Sequence, residues 1–149
     1  MEPDTAPRCL TGLLDFMTSP PPLNRILCVE DEPDIRAVAK LALEMVGGYT
    51  VELCSSGQEA VQRAASFQPD LILLDVMMPG MDGPTTLEAL RQQSQTAKLP
   101  IAFMTAKVQT EEVERYIRMG AIGTVAKPFD PMTLANTVKR LWMEHYERS

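Results

Sequence analysis

From Arg25 onward, short runs of consecutive apolar residues alternate with longer stretches whose apolar residues recur every three or four positions. Ile26-Leu27-Cys28-Val29 is the first run. Pro33 to Val46 follows, with Ile35, Val38, Ala39, Ala42, Met45 and Val46 at helical spacing and Pro33 placed for a first turn. Gly47-Gly48 stops that helix. Tyr49 to Leu53 reads as a strand, and Ser56-Gly57-Gln58-Glu59 has the spacing of a capping box that opens a helix through Phe67. Leu71-Ile72-Leu73-Leu74 is apolar on consecutive positions, the mark of a central strand covered on both faces. Gly80 to Gly83 is turn chemistry, and Pro84 opens a helix to about Ser94. Pro100 to Met104 is the next strand. Thr110, Glu111 and Glu112 supply a cap and negative charge to a helix that Gly120 ends. Ile122 to Ala126 is the last strand, and Asp130-Pro131 start a helix with Leu134, Ala135, Val138, Leu141 and Trp142 on one stripe.

Five strand–helix units in strict alternation predict an α/β fold, a parallel sheet with helices on both faces. Cys28 and Cys54 fall in strands and are expected to be buried; Trp142 is expected to pack the last helix onto the sheet. Residues 1–23 differ in kind. They hold Pro3, Pro7, Pro20, Pro21 and Pro22, five of the 12 prolines, and read as a tail ahead of a domain spanning 24–147. Within the tail, Leu10, Leu13, Leu14, Phe16 and Met17 form a short apolar cluster. It is either a loose segment resting on the domain or a short docking helix for a partner.

Composition removes several classes of function. The 149 residues carry a net charge of -6, with 14 Lys plus Arg against 20 Asp plus Glu, which argues against a phosphate-tracking nucleic-acid binder. No apolar run approaches the roughly 18 residues of a membrane span. Three cysteines, Cys9, Cys28 and Cys54, are an odd number without paired metal spacing. They argue against a disulfide framework or a zinc site and suit a reducing compartment, so a cytoplasmic location is expected. The first residues lack the basic start and apolar core of a secretory signal.

In an open parallel sheet, sites lie beyond the carboxyl ends of the strands. The first strand delivers Glu30 and Asp31 there, the third Asp75, the fourth Thr105 and the fifth Lys127. If the first and third strands are neighbours, three acids crowd together, and crowded like charges destabilise a fold unless a cation joins them. A hard divalent ion such as Mg²⁺ fits oxygen ligands of this kind, and no His or Cys stands near to favour a soft metal. A carboxylate nucleophile, Mg²⁺, an ammonium and a hydroxyl are what phosphoryl transfer to Asp requires.

These residues also carry a resemblance. Val29-Glu30-Asp31-Glu32, Leu73 through Gly83, Met104-Thr105-Ala106, and Gly120-Ala121 through Lys127-Pro128-Phe129 resemble, in order and spacing, the motifs of the receiver domain of two-component response regulators. The match runs from about Arg25 to Trp142. It implies a flavodoxin-like, doubly wound five-stranded parallel sheet in order 2-1-3-4-5. It implies Asp75 as phosphoacceptor for a histidine kinase or histidine phosphotransfer protein. Asp31 would hold Mg²⁺ directly, Glu30 directly or through water, and the Met77 carbonyl would complete the protein ligands. Thr105 would swing toward the phosphoryl group, Lys127 would pair with it, and the Lys127-Pro128 peptide would be cis. Output would be a protein contact at the face of the fourth helix, fifth strand and fifth helix, or a relay, with self-association left open.

Two positions depart from the usual family pattern. Glu30 stands where Asp is commoner, and Thr124 stands where the family usually carries the Tyr, Phe or His that moves with the Thr. Thr124 therefore keeps a second function open: a scaffold of this fold that binds partners without phosphorylation-driven switching. A Mg²⁺-dependent phosphohydrolase with an Asp nucleophile would need an acid two residues after Asp75, where Met77 stands, so no separate substrate turnover is expected. A flavin-binding domain would need a phosphate-cradling loop where Glu30 and Asp31 stand. Met77, Met78 and Met81 are expected to be loop packing, and His145 is given no catalytic role.

Overall fold

A computed structural model of the chain describes residues 20–148. The apolar cluster Leu10–Met17 and Cys9 lie outside the described residues. Five strands alternate with five helices: β1 (Arg25–Val29), α1 (Pro33–Met45), β2 (Thr50–Cys54), α2 (Gly57–Phe67), β3 (Leu71–Asp75), α3 (Gly83–Arg91), β4 (Ile101–Thr105), α4 (Thr110–Arg118), β5 (Gly123–Ala126) and α5 (Leu134–Arg148). All strand pairs are parallel, in the order β2-β1-β3-β4-β5. No helix among the described residues is long and apolar enough to cross a membrane.

The consecutive apolar strand positions are sorted by the pleat onto two faces. Ile26, Cys28, Leu71, Leu73, Ala102 and Met104 face one cluster, closed by Ala39, Ala42 and Leu43 of α1 and by Val138, Leu141 and Trp142 of α5. Leu27, Val29, Ile72, Leu74, Ile101 and Phe103 face the other, closed by Ala60 and Ala64 of α2, Leu87 and Leu90 of α3 and Tyr116 of α4. Cys28 and Cys54 are buried and unbridged, on opposite faces. Trp142 lies against the sheet as the sequence suggests.

Local details depart from the sequence reading. In α1 the buried side is Ala39, Ala42 and Leu43, while Val38 and Met45 from the expected stripe stand exposed. Small side chains let the helix lie close to β1 and β2, so alanines occupy the interface. Helix α3 ends at Arg91 rather than about Ser94. The Leu90 carbonyl, which a continuing helix would offer to Ser94, instead accepts from the Thr96 hydroxyl and, at 3.3 Å, from the Gln93 amide. At α4 the cap position is Gln109, with no side-chain cap bond, and Thr110 is already helical. Ser56 caps α2 by accepting from the Glu59 amide, but the reciprocal Glu59 bond goes to Ser55, one residue early. The segment after Asp130 begins as a turn that its side chain caps through the Met132 amide (2.9 Å), and regular helix starts at Leu134. Of the loop methionines only Met78 is fully buried; Met77 is 73% exposed.

Gly83 fixes how closely the β3–α3 loop returns to the sheet. Its amide donates to the Val76 carbonyl at 2.8 Å, and a Cβ there would lie 2.7 Å from the Asp75 carbonyl oxygen and 2.8 Å from Val76 Cα. Backbone cannot yield as a side-chain tip does. Gly83→Ala is expected to cost about 1–3 kcal/mol, the usual penalty of overpacking, read as a lowered midpoint in urea unfolding with an unchanged slope.

Candidate functional site

The β1–β3 pairing sets Val29 beside Leu74, so the residues that follow each strand emerge side by side. One oxygen each from Glu30, Asp31 and Asp75 lies within 4.8 Å of the others. Glu30 is fully buried and Asp75 almost so. Lys127, just past β5, reaches across: its Nζ donates to Glu30 Oε1 at 2.9 Å and to Asp75 Oδ1 at 3.2 Å. The Lys127-Pro128 peptide is cis. Glu30 Oε2 also accepts from the Glu32 amide at 3.1 Å.

One ammonium faces three carboxyl groups. Asp75 Oδ1 accepts from Lys127 and, at 3.4 Å, from the Met77 amide, while the buried Oδ2 has no hydrogen-bond partner. Burial, and next the charge of Glu30, push the Asp75 carboxyl up to about 7 against the opposing pull of Lys127. Lys127 is desolvated too, which works against its charge, but its bonds to Glu30 and Asp75 outweigh that and hold its pKa above the usual value. The Cys28 thiol, buried and close to Glu30, is pushed up to about 12 and stays protonated, so it offers no thiolate. The donor set is hard oxygen with one buried oxygen unpartnered. That fits a small divalent cation such as Mg²⁺.

Other expected residues are placed as follows. Thr105 ends β4 beside the cluster and is buried, but its hydroxyl accepts from the Lys107 amide at 3.0 Å and makes no hydrogen bond to Asp75. Thr124 is half-buried, paired in register with Phe103. It lines an open cleft of about 310 Å³ with Val108, Thr137 and Arg140, a space no β5 ring occupies. His145 lies on the last turns of α5, away from these residues in the chain. Arg36 is a residue that sequence reasoning passed over. Its Nη1 donates to the Glu30 carbonyl at 2.9 Å and the Asp31 carbonyl at 3.3 Å, tying the acidic loop to the first turn of α1. Its one sequence signal is a lone Arg one turn into the helix that follows two acids.

The raised Asp75 carboxyl has a consequence for stability. Ionising a group whose folded pKa lies above its unfolded value costs the folded state, so its stabilisation is full below the ordinary carboxylate range and is lost as pH rises through about 7. Asp75→Asn removes the cost. In Mg²⁺-free buffer at pH 8 the variant is expected to be more stable than the wild type by roughly 1–3 kcal/mol, with the difference shrinking toward zero near pH ~4. Urea unfolding of both proteins across that range is the check, and a variant less stable at pH 8 contradicts the account.

Comparison with known proteins agrees with this geometry. The family model described as "Response regulator receiver domain" matches residues 26–139. The phosphate regulon transcriptional regulatory protein PhoB of Escherichia coli is 37% identical over 116 residues, 78% of this chain and 50% of that protein. The DNA-binding dual master transcriptional regulator RpaA of Synechocystis is 36% identical over 119 residues, 80% of this chain and 49% of that protein. The chain thus spans about half the length of the curated relatives it matches. The chemotaxis response regulator CheY4 of Vibrio cholerae superposes with a TM-score of 0.74 at 35% identity, over 80% of this chain and 99% of that one. With the strand order, the acidic cluster and these matches in agreement, the chain belongs to the response regulator receiver domain family of two-component systems.

Proposed function

We propose that this domain is a phosphorylation-controlled signalling module in which Asp75 accepts a phosphoryl group from a phosphohistidine on a histidine kinase or phosphotransfer protein. The observation that carries the reading is the buried, unpartnered Oδ2 of Asp75, set among two further acids and one lysine. An Asp75 oxygen attacks phosphorus as the phosphorus–nitrogen bond to the imidazole breaks, and the departing imidazole takes up a proton. Glu30, Asp31, Asp75 and the Met77 carbonyl are the groups that would hold Mg²⁺. When bound, the ion neutralises charge on the phosphoryl oxygens. Lys127 already donates to both Glu30 and Asp75, so its ammonium has only to turn onto a phosphoryl oxygen. Thr105 would exchange the Lys107 amide for that same group.

The phosphodonor's approach is supported by an apolar groove of about 200 Å³ beside Lys127, walled by Ile35 and Val38 of α1 and by Pro128 and Phe129. A helix carrying the phosphohistidine would lay apolar residues there. The output face is assigned to α4, β5 and α5, toward a protein partner, a relay component or a second copy. With 14 basic against 20 acidic residues, this chain is not read as touching nucleic acid. Nor is turnover of a separate substrate: Met77 occupies the acid–base position and its side chain is exposed. A cytoplasmic location follows from the kinase partner. The second reading, a scaffold that does not switch, draws its support from Thr124 and the open cleft beside it.

Incubation with acetyl phosphate and Mg²⁺ separates the two readings. The intact mass of the wild type is expected to gain one phosphoryl group, Asp75→Asn to gain none, and chelation of Mg²⁺ with EDTA to abolish the gain. An unmodified wild type whose spectrum is also unmoved by beryllofluoride favours the scaffold.

A further inference from the structure

The described chain begins with Pro20-Pro21-Pro22, and these prolines are seated against the domain rather than leading away from it. The Pro21 carbonyl accepts from Trp142 Nε1 at 2.8 Å. The three prolines form one wall of a groove of about 480 Å³ at the amino-terminal edge of the sheet, opposite Asp75. Val46, Tyr49, Lys139, Trp142 and Met143 are among its other walls, so it lies between the end of α1 and the length of α5. Two of its walls, Val46 just past the end of α1 and Met143 on α5, belong to the small set of large apolar side chains left exposed among the described residues.

The segment just ahead of Pro20 has the complementary pattern. Leu10, Leu13, Leu14 and Met17 fall at i, i+3, i+4 and i+7, the spacing with which an amphipathic helix fills a groove. Eight helical residues span about 12 Å. Only Thr18 and Ser19 separate this stripe from Pro20, a reach of about 10 Å. So short a tether holds the stripe at an effective concentration on the order of millimolar at the groove's own rim. A second copy or another protein would have to compete from dilute solution. A helix this short is marginal alone, which the tether and the groove together offset.

We propose that residues 10–17 of this chain occupy the groove between the end of α1 and α5, setting Leu10, Leu13, Leu14 and Met17 against Val46, Met143 and their neighbours. The docked segment is the domain's own ligand at the edge remote from the phosphoacceptor. The proposal is independent of the phosphorylation reading, and so is its test.

Cys9 provides the probe. Cys28 and Cys54 are buried with thiols pushed up to about 12, so a nitroxide reagent at neutral pH labels Cys9, as the intact mass verifies. In the full chain, ¹⁵N-labelled, the nitroxide is expected to broaden the amides of Val46, Gly47, Asn136, Lys139 and Met143 while sparing Met81 and Lys107 at the other edge. Leu13→Asp with Leu14→Asp, or separately Met143→Glu, is expected to reduce that broadening several-fold. Neither change alters a buried residue of the described fold. Broadening that persists in both variants, spreads evenly or centres elsewhere overturns the proposal. So does equal broadening of a nitroxide-free ¹⁵N chain mixed with a nitroxide-bearing ¹⁴N chain, since the occupant is then a second copy.

Discussion

The carboxyl edge of this sheet is organised around one shared cation. Lys127 divides its ammonium between Glu30 and Asp75, and among the described residues it is the one base whose side chain bonds the carboxylates of the buried acids. Burial of Asp75 and the charge of Glu30 beside it both disfavour the ionised Asp75 carboxyl. The bridge holds β1, β3 and the end of β5 to one geometry, but it leaves charge unbalanced and one Asp75 oxygen without a donor. The excess is a standing attraction for further positive charge. A site of this kind gives up stability so that a cation and an electrophile gain more when they arrive.

Topology makes the arrangement unavoidable once the strands pair. Parallel neighbours end on the same edge, so the polar residue that terminates each apolar run emerges beside its counterpart. Register does the fine placement. Leu74 beside Val29 puts Asp75 next to Glu30, and Ala126 beside Thr105 puts Lys127 one residue beyond the β4 end. Arg36 then pins the acidic loop from α1, and Gly83 lets the β3–α3 loop fold back over the Asp75 backbone. The length of Glu30 matters here as well. Its carboxylate reaches the Lys127 ammonium while its other oxygen accepts from Glu32, so the longer side chain links the β1 loop to β5 directly.

Much of this was legible in the sequence because the signals were strong and local. Leu71–Leu74 is apolar at every position, which only a doubly covered strand tolerates, and polar residues stood at equivalent strand ends. What escaped depends on contacts distant in sequence or on backbone distance. The buried side of α1 is alanine-rich because the helix sits close to the sheet, and hydropathy alone favours Val38 and Met45 for that role. The end of α3 is set by Thr96 capturing the Leu90 carbonyl, a bond formed only once the chain has turned. Arg36 in a first helical turn reads as solvated charge until the carbonyls it serves are seen. The pairing of Lys127 with Glu30 spans 97 residues and no local pattern announces it.

Thr124 bears on how motion at the site would leave it. Its register partner is Phe103, and the Phe103 ring meets the Tyr116 ring of α4 edge-on at 5.0 Å between centroids. Phe103 also lies against Gly83, whose Cβ, were there one, would be 3.1 Å from the ring. The aromatic contact on this side of the sheet is therefore between β4 and α4, and β5 contributes only a hydroxyl and a methyl beside an open cleft. Thr105 lies two residues beyond Phe103 on the same strand, so displacing Thr105 toward Asp75 draws directly on a strand whose ring is locked to α4. The packed contact that joins the Thr105 strand to helix α4 is therefore the Phe103–Tyr116 ring pair.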